Sequence, residues 1–289
     1  MEMKVVNDYH DFEIIDTSRG EKLERWGNIY LLRPDPGVIW DNGCLEEKYQ
    51  KIIHSVYYRS STGGGHWENK KQMPNSWIIN YQDMKFNIKQ MGFKHTGLFP
   101  EQAVNWNYIR NKIEKEEREI SVLNLFAYTG GATIAALKAG ASVVHVDSSR
   151  GMVDWAKENV KVNKLDETKI RYIIDDVIKF VKREIRRGHK YDVIIMDPPS
   201  FGRGVNGEIW NIEKNLYELL SLCQEILSDK PLFLLVNSYS GLSPILLENI
   251  LKLTNKRKNI KISSDEIGLL IKEKNLILPC GIYGRVDYE

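Results

Sequence analysis

A chain of 289 residues is long enough for one large domain or two ordinary ones and can bury a sizeable core. With 42% apolar and 28% charged residues it reads as an ordinary globular chain, neither disordered nor disulfide-built. The 41 basic residues against 39 acidic ones leave a formal charge of only +2, so any nucleic-acid partner must be argued from local patches.

Cys44, Cys223 and Cys280 are scattered without a CxxC pairing, which disfavours structural zinc and a secreted disulfide framework. No metal site is expected, and a reducing cytoplasm is the simplest home. The opening "MEMKVVNDYHDFEI" is charged throughout, and nowhere do apolar residues run long enough to cross a bilayer, so no membrane or export signal is read.

In chain order, residues 1–90 carry Trp26, Trp40, Trp67 and Trp77 and the loop "RPDPG" at 33–37. Short alternating stretches such as "NIYLLR" and "WIINY", broken by "STGGGH" and "MPNS", predict a small β-rich domain. Its glycines at 63–65 read as a flexible connection.

From residue 91 to 289 the texture changes to alternating strands and helices. "SVLNLF", "SVVHVD", "IRYII", "YDVIIMD" and "PLFLLVNS" read as buried strands. "GATIAALKAG", "GMVDWAKENVKVNKL", "DVIKFVKREIRRG", "NIEKNLYELLSLCQEIL" and "SPILLENILKLTN" read as the helices between and after them. Strict alternation with apolar strands predicts an α/β, Rossmann-like fold with a mostly parallel sheet covered on both faces. The final stretch reads as two strands joined around "KEKN", a hairpin closing the sheet with an antiparallel edge.

In such a sheet ligands bind beyond the carboxyl ends of the strands, near the point where strand order reverses. The first strand exits into "FAYTGGAT", whose adjacent glycines before a helix let backbone approach a ligand closely. The second ends at Asp147, where a carboxylate can accept both hydroxyls of a ribose. The third leads to "DDV" at 175–177, and the fourth to "MDPPSFGRG". Singly, Asp147 and Asp176 could simply cap helices and the glycines permit a turn. Together they mark four successive strand ends.

That constellation resembles the class I S-adenosylmethionine-dependent methyltransferases. "LNLFAYTGG", "VHVDSS", "DDVIKF" and "MDPPSFGRG", with "FKHTGLFPEQ" upstream, are similar to the large-subunit 23S ribosomal RNA base methyltransferases over residues 93–289. "DTSRGEKLERWGNIYLLRPDPGVIW" looks like the β-rich extension of one branch of these, a branch lacking the RNA-binding PUA domain of the cytosine-modifying members. The resemblance implies a seven-stranded sheet, S-adenosylmethionine as cofactor and 23S RNA as partner.

It further implies that Phe126, Ala127 and Gly130 line the methionine and ribose of the cofactor, that Asp147 binds the ribose beside Ser148, and that Asp176 and Val177 frame the adenine. Thr96, Gly97, Phe99 and Gln102 match the stretch that folds over the cofactor. Asp197, Pro198 and Pro199 form the floor between cofactor and substrate.

Pyrimidine carbon 5 is a poor nucleophile, and enzymes methylating it first add a cysteine thiolate to the ring. In the cytosine-modifying relatives that cysteine follows the fifth strand, where this chain has Tyr239 in "NSYSGLS". Cys223 reads as helix packing and Cys280 as a residue at a strand end. Covalent C5 methylation is therefore disfavoured, and a ring or exocyclic nitrogen, which needs no adduct, is the expected acceptor. An Asp followed by two prolines and an aromatic ring suits acceptance of an N–H bond and stacking of a base, although Phe201 here comes one place late, after Ser200. Arg203, between two glycines, is placed to meet a phosphate or base, and Tyr239 to meet substrate.

Two basic stretches, "KREIRRGHK" at 182–190 and "KRKNIK" at 256–261, could contact RNA phosphates or simply complement helix dipoles. A small-molecule or protein methyltransferase on the same fold, and a non-catalytic cofactor-binding module, remain the alternatives.

Overall fold

The computed structural model describes every residue except 1, 2, 7, 62, 63, 205, 206 and 240. Gly63 thus lies outside the described residues, while Gly65 opens a strand. The chain divides into two compact units, residues 5–103 with 268–279, and residues 1–4 and 104–267 with 280–289.

After a two-residue strand β1 (Lys4–Val5), the first, strand-rich unit contains β2 (Phe12–Ser18), β3 (Glu21–Trp26) and β4 (Ile29–Pro34), an antiparallel meander. A short helix α1 (Leu45–Tyr49) leads to β5 (Ser55–Arg59) and β6 (Gly65–Asn69), and β7 (Trp77–Tyr81) pairs with β8 (Met84–Ile88) as a separate hairpin. Inward-facing Ile15, Leu23, Leu32 and Val56, with Leu45 and Ile53, form one core, and Phe12 meets Trp26 edge-on at 4.7 Å.

Among these apolar side chains sits a buried ion pair. Arg33 clasps Glu24 through Nε (2.6 Å) and Nη2 (2.8 Å), and the Trp26 indole donates to the same carboxylate at 3.1 Å. Burial alone would raise the Glu24 carboxyl, but the charges of Arg33 and Lys22 and these hydrogen bonds outweigh it and hold it at about 2.

Residues 91–103, expected to open the second domain, group with this unit. The reason is visible in its hydrogen bonds: the Trp67 indole holds the carbonyls of Met91 (2.9 Å) and Phe93 (3.1 Å), and Arg33 holds that of Lys94 (2.8 Å).

The second unit opens with α2 (Ala103–Ile113) and then alternates: β9 (Ser121–Leu125), α3 (Gly131–Lys138), β10 (Ser142–Asp147), α4 (Arg150–Val162), β11 (Ile170–Ile174), α5 (Val177–Arg187) and β12 (Val193–Met196). A hairpin of β13 (Phe201–Arg203) and β14 (Ile209–Asn211) intervenes before α6 (Ile212–Cys223), β15 (Phe233–Ser238), α7 (Pro244–Thr254), β16 (Ile260–Ile271) and β17 (Leu276–Tyr288). The strands run in the order β11-β10-β9-β12-β15-β17-β16, parallel from β11 to β15, with β17 antiparallel to β15. These seven strands form the mostly parallel, Rossmann-like arrangement anticipated from the alternation, with the strand number that the resemblance implies, within a hydrogen-bonded sheet of thirteen strands among the described residues.

β12 and β15 are buried along their whole length, which is why β12 and the first four residues of β15 read as apolar runs. Leu123, Ile194, Leu234 and Val236 pack with Phe180, Leu216 and Leu247 in a single core. The terminal hairpin turns at 272–275 as expected, but its tip (268–279) belongs to the strand-rich unit, where Ile271 pairs with Ile14. No helix among the described residues is long and apolar enough to cross a membrane.

Candidate functional site

The chain leaves β9 for β10 and β11 on one side and then crosses to β12 and β15 on the other, so strand order reverses between β9 and β12. Backbone hydrogen bonds tie the four exits into one rim. Ala127 donates to Val146 (3.0 Å), Asp175 to Asp147 (3.2 Å) and Asp197 to Leu125 (3.4 Å).

The β9 exit is tightly bent. Phe126 (φ 53°) and Tyr128 (φ 51°) both adopt left-handed backbone, a conformation costly for residues with a Cβ and concentrated at functional sites. Gly130 follows at φ 89°, and a Cβ there would lie 3.2 Å from that of Ala156. At Gly131 an added Cβ would stand 2.9 Å from the Trp106 ring, so room favours glycine there, while at Gly130 the left-handed backbone does. Beneath the loop, Thr133 accepts from Asn124 and shares a hydrogen bond with His145 Nδ1, each at 2.9 Å, while Asn159 donates to the Thr129 carbonyl. Burial holds the His145 imidazole down at about 3, so it is neutral.

Asp147 ends β10. Its Oδ2 accepts from the Tyr128 amide (2.9 Å) and its Oδ1 from that of Ser149 (2.8 Å), which leaves lone pairs on both oxygens. Burial raises its carboxyl, and the two amides pull the other way. Ser148 beside it is half-buried. At the β11 exit Asp176 caps α5 by accepting from the Lys179 amide at 2.9 Å, with Val177 buried behind it. The capping role weighed for this residue is thus occupied, and one of its oxygens is engaged by the helix.

At the β12 exit Pro198 is buried, whereas Pro199 and Ser200 are exposed. Tyr239, just beyond β15, donates its hydroxyl to Asp197 Oδ2 at 3.2 Å. The loop then folds into the β13–β14 hairpin, which sequence patterning missed. Trp210 on β14 donates to the Pro199 carbonyl (2.6 Å) and packs edge-on to Phe126 at 4.7 Å, joining the β9 and β12 exits. Phe201 (55% exposed) and Arg203 stand out from this hairpin into solvent.

Phe126, Ala127, Gly130, Asp147, Ser148, Asp176, Val177, Asp197, Pro198, Pro199 and Tyr239 thus gather at one end of one sheet. Thr96, Gly97, Phe99 and Gln102 belong to the strand-rich unit. There Thr96 is fully buried with its hydroxyl unpartnered among the described residues, Gly97 is left-handed (φ 94°), and Phe99 precedes a 3-10 turn that ends at Gln102. Glu101 in that turn is pushed up to about 7 by burial, against the charges of Lys22 and Arg33.

Cys44 is in the strand-rich unit, and Cys223 is buried in α6 with its thiol pushed well up by burial. Cys280 lies inside β17 rather than at a strand end, beside Gly281, where an added Cβ would stand 2.8 Å from the Ser238 carbonyl and 3.5 Å from Tyr239 at the β15 exit. The basic stretch at 182–190 is largely neutralised, since Lys182 pairs with Glu218, Arg183 with Asp175, and both Arg187 and His189 with Glu184.

A carboxylate with free lone pairs on both oxygens, next to a tight left-handed glycine turn before a helix, suits a ribose diol and an adenosyl group, so the residues present fit S-adenosylmethionine. Comparison with known proteins agrees. A family model described as S-adenosylmethionine-dependent methyltransferase matches residues 14–244. Proteins named ribosomal RNA large subunit methyltransferase I are similar: that of Enterobacter sp. strain 638 is 41% identical over 199 residues, 64% of this chain and 49% of its own. That of Escherichia coli K12 is 32% identical over 195 residues, 63% of this chain and 48% of its own. The chain thus spans about half the length of these curated relatives. A crystal structure of the SAM-dependent methyltransferase from Agrobacterium tumefaciens superposes with a TM-score of 0.93 at 33% identity, covering 100% of this chain and 94% of that one. With the strand-end rim, the glycine turn and Asp147 in the arrangement that cofactor needs, and a family model spanning most of its length, the chain belongs to the S-adenosylmethionine-dependent methyltransferases.

Proposed function

We propose that the protein methylates a nitrogen of a base in large-subunit ribosomal RNA, in the cytoplasm. The rRNA part of this reading leans on the named relatives. One observation carries the choice of atom: at the β15 exit, where carbon-5 chemistry needs a thiol, the side chain facing Asp197 is the Tyr239 hydroxyl.

Bound S-adenosylmethionine supplies a methyl carbon already electrophilic by virtue of its sulfonium, so the protein's task is alignment and exclusion of water. Phe126, Ala127 and Gly130 would hold its methionine and ribose, Asp147 and Ser148 its ribose hydroxyls, and Asp176 and Val177 its adenine. Asp197, steadied by Tyr239, accepts the N–H hydrogen of the base and takes its proton as the nitrogen–methyl bond forms. Pro198 and Pro199 keep the loop rigid, so that the acceptor is held in line with the donor rather than searching for it. Phe201 offers an exposed ring for the base, and Arg203 a charge for the neighbouring phosphate.

The test is mass spectrometry of rRNA nucleosides from cells with and without the gene. Loss of one nitrogen-methylated base is expected. Loss of 5-methylcytosine would overturn the choice of atom, and no change in any base would overturn the RNA reading.

A further inference from the structure

A cavity of about 340 Å³ lies within the strand-rich unit, inside the roughly 300–1,000 Å³ usual for ligand pockets. Tyr57, Arg59, Phe93, Lys94 and His95 line it, and no carboxylate does so among the described residues. Its walls are fixed. Tyr57 on β5 packs edge-on to Trp67 on β6 at 5.3 Å, and the Trp67 indole and Arg33 hold the carbonyls of residues 91, 93 and 94. On this anchored backbone the Phe93 ring is nevertheless 61% exposed. The Phe93 ring thus offers an open face beside the cavity.

Two of the cations near the cavity are engaged by acids, Lys22 by Glu24 and Asp35 and Arg33 by Glu24, while Arg59 and Lys94 are the cations on its lining. The Lys94 ammonium is lowered by burial and by the charges of Lys22, Arg33 and Arg59, with only Asp35 opposing. His95 is held at about 4 by burial and by Arg33, Lys94 and Lys22, so its imidazole is neutral at physiological pH. Arg59 is exposed at the end of β5. In the basic stretch at 182–190, Lys182, Arg183 and Arg187 are likewise paired with acids.

We propose that this pocket takes one nucleotide of a single-stranded RNA segment, with its base on the Phe93 ring and its phosphate between Arg59 and Lys94. An aromatic face beside cations without intervening acids is how proteins grip single strands independently of sequence, because every base has a face to stack and every nucleotide a phosphate. The proposal rests on the RNA reading above and adds to it a binding contact in the strand-rich unit.

The test is fluorescence anisotropy of a fluorescein-labelled, mixed-sequence single-stranded oligoribonucleotide titrated with the full chain and with Phe93→Ala, Phe93→Tyr and Arg59→Ala. Calorimetry with S-adenosylhomocysteine serves as the folding control, and transfer of labelled methyl to total rRNA is followed in parallel. Phe93→Ala and Arg59→Ala should each weaken RNA binding about tenfold while cofactor affinity stays unchanged. Phe93→Tyr should bind like the parent chain, and Arg59→Ala should lower the salt dependence by about 0.7 in log–log slope. Unchanged RNA affinity in both alanine variants, with the parent chain still labelling rRNA, would overturn the pocket and leave the methyl-transfer reading standing. Failure of the parent chain to bind or label RNA at all would overturn both. Polyglutamate binding with the same dependence on Phe93 would assign the pocket to an acidic peptide and overturn the proposal.

Discussion

The two units bury carboxylates in opposite ways. In the strand-rich unit Glu24 is engaged on both oxygens by the Arg33 fork, and Asp16 is engaged by Lys48 and Lys274 as well as the Tyr49 hydroxyl. In the sheet-and-helix unit Asp147 meets, among the described residues, two backbone amides and keeps lone pairs free at a strand end. Burial of an acid is therefore no guide to function by itself. A carboxylate closed by a cation has its energy committed to the fold, whereas one oriented by amides is positioned and still available to a ligand.

The largest effect should come from breaking the closed pair. Arg33→Met leaves Glu24 buried without its partner and should cost about 3–5 kcal/mol of stability, read from chemical denaturation. The pH dependence gives the sign. In the parent chain Glu24 sits at about 2, below its ordinary 4.5, so its contribution is complete above pH 4.5 and is lost as pH falls from there towards 2. In the variant burial dominates and the carboxyl moves above its ordinary value, so the deficit should shrink on acidification. A deficit that grew instead would mean that Lys22 alone closes the pair.

Next comes the open carboxylate. Asp147→Ala should weaken S-adenosylhomocysteine binding by about 1.5–3 kcal/mol, or roughly ten- to a hundredfold by calorimetry, with a smaller loss of stability than Arg33→Met. Should the two variants lose stability equally and cofactor affinity stay intact, the contrast between the units would collapse.

These differences explain what could be read from the chain. β9, β10, β12 and β15 were legible because strands in a covered sheet are mostly apolar, and the exits of β9, β10, β11 and β12 because each carries an acid or a glycine. The β13–β14 hairpin was not, since three residues per strand are too few to display alternation, and with it went Trp210, the clamp between Pro199 and Phe126. Nor was the Arg33–Glu24 pair. Charges in "EKLERW" and "IYLLRP" look like solvent-facing positions until the register sets Glu24 opposite Leu31 and Lys22 opposite Arg33, bringing the two charges diagonally together. The hairpin tip joined the strand-rich unit through Ile271 and Ile14, residues too far apart in the chain for local pattern to connect.

Glu101 sharpens the comparison from within the strand-rich unit, because it is buried there without a closing fork. Burial lifts it to about 7 from 4.5, so ionising it works against folding as pH rises between those values. Glu101→Gln removes that penalty. Its melting temperature should exceed that of the parent chain at pH 8, by the equivalent of about 1–3 kcal/mol, and match it near pH 4. Equal stability at both pH values would mean that Glu101 is closed by a cation after all.

The smallest effect should fall at Tyr239. Its hydroxyl touches one oxygen of Asp197 at 3.2 Å, so Tyr239→Phe removes a single hydrogen bond from a carboxylate while keeping the ring in place. A cost of about 0.5–1.5 kcal/mol corresponds to a two- to tenfold drop in kcat for methyl transfer to rRNA, with cofactor affinity unchanged because Asp147 is untouched. This is the behaviour of a residue that steadies Asp197 rather than one that exchanges protons with the substrate. A loss of a thousandfold or more would show Tyr239 to be the proton acceptor itself, and would make the β15 exit, not the Asp-Pro-Pro loop, the seat of the chemistry.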